Sequence, residues 1–221
     1  MTIKNELAVN SQTENGQMEI YELKKTAKQI ILNQSIPKTT KKTIYIFALG
    51  SENGADLKIE LNEPNSELNI FCLYIVADKT SPKFNLQVFH NAKNCKSHIL
   101  YKGVLLGKES KVFWNSNVVI NPPALGTDTY EANKNMILAK GGRAYSVPNL
   151  EILQGDIEGA GHASAIGRFD DEQLFYLMSR GLSAKAAKEV LVEGFALEIL
   201  ENLSSEAKKA EFRDKIMNLL N

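Results

Sequence analysis

The chain has little material for soft-metal or disulfide chemistry. Its 221 residues include two cysteines and three histidines. Cys72 sits in an apolar run and Cys95 in a polar turn, with neither C-x-x-C spacing nor paired ligands. That pattern argues against a disulfide framework and a built-in zinc or iron–sulfur centre, and two reduced thiols are expected. Net charge is missing as well: 26 basic and 26 acidic residues cancel, so no global field draws the chain to nucleic acid or to an anionic membrane. No apolar run approaches the length of a bilayer, and the first 16 residues are polar, without the apolar core of a secretory signal. A cytoplasmic location is the expectation. No strict repeat is visible, and no stretch between strands has the length of a crossover helix, which excludes a doubly wound α/β fold.

What is present falls into two kinds of sequence that meet between Gly167 and Asp170. Residues 1–17, rich in Asn, Thr, Glu and Gln, are expected to be a mobile leader without regular structure. Residues 18–167 carry short strand-like runs: 18–23, 29–32, 43–48, 57–61, 68–76, 84–88, 99–101, 104–106, 112–114, 118–120, 136–138 and 150–153. The basic segment 37–42 between two of them reads as a solvated loop. Their spacing fits a sandwich, a barrel or a β-helix, and periodicity does not choose among these. Within 68–76, Phe71, Leu73 and Ile75 are apolar as well as the alternate set, so this strand is expected to be covered on both faces. Phe113 and Trp114 are neighbours in a strand and must face opposite ways, leaving one of them toward an outer surface.

Residues 168–221 read as helices. Asp170 and Gln173 form a capping box, Phe169 and Leu174 a hydrophobic staple, Asp171 and Glu172 meet the positive end of the helix dipole, and Gly181 supplies a left-handed stop. Ser183 is the expected cap of a second helix running to about Asn202, with Ala187, Val190, Leu191, Gly194, Phe195 and 197–200 on its apolar side. A third helix follows Ser204 or Ser205, burying Ala210, Phe212, Ile216, Met217 and Leu220. These helices carry more apolar surface than they can bury among themselves, so it docks either on the chain's own sheet or in a partner's groove.

The one candidate site lies just before the seam. From Glu158 to Gly167 small residues surround His162, which leaves its imidazole uncrowded. Such a stretch is either a tight turn with a structural histidine or a site at an interface.

Four segments, GTDTYEANKNMIL at 126–138, PNLEI at 148–152, Gly161-His162, and FDDEQLFYLMSRG at 169–181, resemble in order and spacing the SufB/SufD family of iron–sulfur cluster assembly scaffolds, over roughly residues 98 to 201. The resemblance implies a mostly β chain: a right-handed parallel β-helix followed by a small C-terminal helical domain. It implies dimerisation through the β-helix, with itself or with a SufB-like subunit, and docking of a SufC-like ABC-type ATPase on the C-terminal helices, where Phe175, Tyr176, Arg180, Gly181 and Phe195 are the expected contact residues. His162 falls where SufD-type members carry a histidine near the dimer interface, which makes it the expected metal and cluster ligand. Three positions depart from the family pattern: Gly142 where SufB-type members have a cysteine, Ala160 where many SufD-type members have one, and Ala163 where SufB-type members have an acidic residue. A SufD-like, shortened member is expected, about half the usual length and without the N-terminal helical region, binding no cluster stably alone and sharing a transient one at a dimer interface.

Two other readings remain open. A β-helix enzyme acting on polysaccharide would need clustered groups, for which Asp128, Glu131, Lys134 and Arg143 are the candidates. An interaction module could also keep the SufB/SufD frame with no cluster role.

Overall fold

The computed structural model describes residues 9–14, 17–23, 30–38, 40–168 and 171–220. Among these residues twelve strands come first: β1 Val9–Glu14, β2 Met18–Leu23, β3 Ile30–Ser35, β4 Lys41–Leu49, β5 Ala55–Leu61, β6 Glu67–Val76, β7 Lys83–His90, β8 Lys96–Leu105, β9 Lys111–Ile120, β10 Asp128–Ile137, β11 Arg143–Ile152 and β12 Gly159–Arg168. Three helices follow, α1 Asp171–Ser179, α2 Ala184–Leu200 and α3 Glu206–Leu220. From β2 onward the strands alternate between two sheets. One runs β1-β2-β4-β6-β8-β10-β12 and the other β11-β9-β7-β5-β3. Every pairing is parallel except β1 with β2. The chain is therefore wound into a parallel β-helix, as the resemblance implied, with one strand of each sheet per coil.

Residues of equal register stack coil on coil: Ile44, Ile70 and Ile99 in the first sheet, Leu57, Leu86 and Ser116 in the second. The turns stack too. Asn91 donates to Asn62 and accepts from Asn121, both at 2.6 Å. Asn65 and Asn94 hold left-handed φ near 60°, and the equivalent place one coil on is Gly126 at 66°, because a Cβ there would run into Asn94 Oδ1. A repeat thus exists in the backbone that the residue types do not spell out.

Two cores result. Inside the coil lie Leu57, Ile59, Ile70, Cys72, Tyr74, Phe84, Leu86, Tyr101 and Trp114. Outside the first sheet, Phe47, Phe71, Leu73, Ile75, Leu100 and Val104 pack against Val192, Ala196, Ile199 and Leu200 of α2 and Phe212 and Ile216 of α3. β6 is covered on both faces as its sequence required: Ile70, Cys72 and Tyr74 point inward, Phe71, Leu73 and Ile75 outward under the helices. Trp114 is buried and Phe113 faces out, stacked on Tyr145 at 4.7 Å.

Several expectations are corrected. The supposed leader contains β1, an antiparallel partner of β2; residues 1–8 lie outside the described ones. Lys42 is not in a solvated loop but in β4, 8% exposed and paired with Glu19 at 2.6 Å. The four runs at 99–101, 104–106, 112–114 and 118–120 are two strands, β8 and β9. Ser183 caps α2, accepting from the Ala186 amide at 3.1 Å, but the buried stripe of α2 is Ala187, Val192, Ala196, Ile199 and Leu200, leaving Val190, Gly194 and Leu197 exposed. Ala210 on α3 is likewise exposed. Gly181 stops α1 with φ of 94°. Phe169 and Asp170, on which the staple and capping box depend, lie outside the described residues. Both cysteines are free and buried. Among the described residues no helix is long and apolar enough to cross a membrane.

Candidate functional site

The stretch of small residues around His162 is not a turn. It is β12, the last strand of the first sheet, held in parallel register by β10 on one side and by no strand among the described residues on the other. β11 ends the second sheet in the same way. The coil therefore finishes as two open edges whose backbone donors and acceptors are available to a further strand. Tyr145, Val147, Ile152, Leu153 and Ile166 stand exposed along this end. One small residue of β12 has a local reason: Tyr130 lies across Gly161, where a Cβ would meet the ring at 3.2 Å.

His162 is exposed and sits beside Glu131 of β10. Side chains of paired residues in a parallel sheet share a face, and Glu131 points into the lumen, where it accepts a hydrogen bond from Ser116 of β9. His162 is thus on the lumen side of the edge strand. Glu131 is 1% exposed, and its second oxygen, Oε1, has no hydrogen-bond partner. Burial pushes the carboxyl up to about 7, against the Ser116 bond that favours ionisation. Ala160 shares the face of His162, being paired with Thr129, while Ala163 is on the opposite face beside Ala132. Gly142 is remote: a Cβ there would touch Ile137 at 3.1 Å, six positions along β10 from Glu131, or about 20 Å at strand rise. Among the described residues no group of three or more His, Cys, Asp or Glu is placed to hold a metal ion.

The other histidines are elsewhere. His90 is buried with Nε2 at 2.9 Å from Ser97 Oγ, and burial pushes it down to about 4. His98 lies outside the coil between Phe71 and Tyr130, at ring separations of 6.0 and 6.3 Å, and burial lowers it too. The set proposed for sugar chemistry is scattered. Asp128 faces out near Lys96 at 3.7 Å, Glu131 is inside, and Lys134 is outside against Glu198 at 2.8 Å. Arg143 is exposed at the start of β11. No shared groove contains them.

The expected docking residues divide into two groups. α1 buries none of its residues, and Phe175, Tyr176 and Met178 are 74%, 57% and 43% exposed. Arg180 reaches back over the Tyr176 ring at 5.3 Å, and Gly181 ends the helix beside it. Phe195 is turned the other way, half-buried toward the first sheet with the Lys102 ammonium 4.1 Å from its ring. The Lys102 ammonium is anchored in turn by Glu198 at 2.6 Å. α2 and α3 spend most of their apolar surface on their own sheet; α1 does not.

The sequence offers Glu131 only among the sugar-site candidates and does not place it beside His162, because the lumen-facing positions of β10, Thr129, Glu131, Asn133 and Asn135, are all polar. They imitate a solvated strand face, and the available signal was only their alternation.

Comparison with known proteins agrees with this architecture. The SUF system FeS cluster assembly, SufBD core domain, matches residues 7–195. The chain is 45% identical over 152 residues to an iron–sulfur cluster assembly SufBD family protein of Mycobacterium leprae (strain TN), covering 66% of this chain and 39% of that protein. It is 32% identical over 157 residues to the iron–sulfur cluster assembly protein SufD of Escherichia coli (strain K12), covering 71% of this chain and 37% of that one, and 28% identical over 187 residues to SufD of Bacillus subtilis (strain 168), covering 76% and 42%. The chain thus spans about two-fifths of the length of these three relatives. With coil, trailing helices and a match over most of its length, the chain belongs to the SufBD core-domain family of the SUF iron–sulfur cluster assembly system.

Proposed function

We propose that this chain is a non-enzymatic, SufD-like accessory scaffold in iron–sulfur cluster assembly, working in the cytoplasm. It pairs through the open end of its coil with a second copy or a SufB-like subunit, and α1 receives a SufC-like ABC-type ATPase. The observation that carries the reading is the pair of unsatisfied surfaces, the open β11 and β12 edges and the uncovered face of Phe175, Tyr176 and Met178. Backbone hydrogen bonds across a joined edge would position His162 at the junction, where its imidazole offers one nitrogen to iron. Gly142, Ala160 and Ala163 add no ligand, so cluster is cargo held transiently between subunits rather than stored by one chain.

The test is co-purification with the SufC-like ATPase. Phe175→Ala with Tyr176→Ala abolishes it while leaving the fold intact; retention of the ATPase by that variant sinks the docking assignment. The missing ligands also favour a second reading, a family module with no cluster role. Anaerobic reconstitution with iron and sulfide, alone and with the partners, separates the two: no cluster in any combination favours the second.

A further inference from the structure

Among the described residues five buried side-chain polar atoms lack a hydrogen-bond partner; His90 Nδ1 lies in an earlier coil, and the other four, Glu131 Oε1, the Tyr101 hydroxyl, Trp114 Nε1 and Ser146 Oγ, belong to the last coils of the lumen. Tyr101 flanks Asn133, two residues from Glu131 on the same face of β10. Trp114 flanks Ser146 on the opposing sheet, and the Tyr101 and Trp114 rings are 5.7 Å apart. Orphaned polar atoms are costly and rare in a packed interior, so a cluster of them marks a place where something polar belongs.

The only acidic group in that cluster is Glu131, and it has one oxygen committed to Ser116 and one free. His162 is its register partner on the edge strand, on the same face. Adjacent strands stand about 4.8 Å apart, which sets an imidazole and a carboxylate side by side where the coil opens. No thiol competes, because Cys72 and Cys95 are buried in earlier coils. A nitrogen and an oxygen donor with no sulfur suit a divalent ion of the ferrous class rather than a thiolate-bridged cluster.

We propose that Glu131 and His162 form the protein half of a mononuclear divalent-cation site at the mouth of the lumen, with ferrous iron as its substrate. The remaining coordination positions are open to water or to a joined subunit. This rests on the cluster-assembly reading and sharpens it: the chain handles single iron ions, and Glu131 supplies the oxygen ligand that Ala163, on the other face of β12, does not.

The test uses the purified chain and Co²⁺ as a spectroscopic stand-in for Fe²⁺, with affinity read by calorimetry and ligation by the visible d–d bands. Wild type binds about one ion per chain, and Glu131→Gln and His162→Ala each weaken binding by at least about tenfold, the scale of losing even a supporting group. The double variant is little worse than either single one, because both remove one site. Far-UV circular dichroism of each variant controls for folding, and Glu131→Asp, which keeps the carboxylate, retains measurable binding. Wild-type affinity in Glu131→Gln overturns the proposal; if His162→Ala still loses the ion, His162 keeps its assigned role. No binding by wild type overturns the mononuclear site alone, since ATPase co-purification tests the scaffold reading independently.

Discussion

The rings of Phe47 on β4 and Phe212 on α3 stack nearly parallel, 14° apart in plane with centroids 3.7 Å apart. Both are essentially buried, and the pair fastens the last helix to the outer face of the first sheet. The helices are therefore part of the coil's stability, not a separate appendage. Phe212→Ala is expected to destabilise the whole chain by about 3–5 kcal/mol, the usual cost of emptying a buried phenylalanine site. Urea unfolding followed by the single tryptophan measures it, and a loss below about 1 kcal/mol would mean that α3 is not held there.

The exposed face of α1 behaves oppositely. Phe175→Ala with Tyr176→Ala leaves thermal stability within about 0.5 kcal/mol of wild type, since neither side chain is buried. The same variant loses ATPase co-purification, so stability and docking separate cleanly between α1 and α3.

Lys102 and Glu198 give an asymmetric prediction. Lys102 is 4% exposed, and burial lowers its pKa against the pull of Glu198. Glu198 is half-exposed and also bonds Lys134 at 2.8 Å; burial raises its pKa, and the two lysines more than reverse that. Lys102→Met changes stability by less than about 1 kcal/mol, because Glu198 keeps Lys134 and the methionine stem still covers Phe195. Glu198→Ala strands a buried ammonium and costs about 1–3 kcal/mol, below the loss for a fully enclosed pair because Glu198 faces water in part. Equal losses in the two variants would contradict this.

Two interior groups set opposite pH dependences. His90 protonates near 6.5 in the unfolded chain but only near 4 when folded, so its contribution is complete above pH 6.5 and is lost as pH falls toward 4. Glu131 ionises near 4.5 unfolded and near 7 folded, so its contribution is complete below pH 4.5 and is lost as pH rises through 7. Each unit of difference corresponds to about 1.4 kcal/mol. Glu131→Gln should therefore gain stability relative to wild type between pH 5 and 8, measured as the difference in urea midpoints. A constant difference across that range would rule out the buried carboxyl as its source.

Much of the fold could be read from residues where packing and pattern agree. β2 has the bounds its sequence indicated, and the doubly apolar run of β6 announced a layer on each side. The coil was harder to recover. β8 and β9 were each split because Lys102 and the polar run from Asn115 to Asn117 interrupt their apolar pattern, although Lys102 and Ser116 are buried in place. β12 was hidden because glycine and alanine have weak strand preference, and β10, not local propensity, supplies its conformation. The stripe of α2 was misplaced by a few positions because apolar residues surround that helix, so periodicity alone did not say which would meet the sheet. His162 was visible in the sequence; the carboxylate beside it required the register.

That β12 has a single strand neighbour among the described residues, and mostly small, exposed side chains, has a kinetic corollary. Few contacts oppose its detachment, so its amide protons should exchange with deuterated water well before those of β6 or β8. The rung bearing His162 would then breathe while the rest of the solenoid stays closed, widening solute access to the polar lumen beside Glu131.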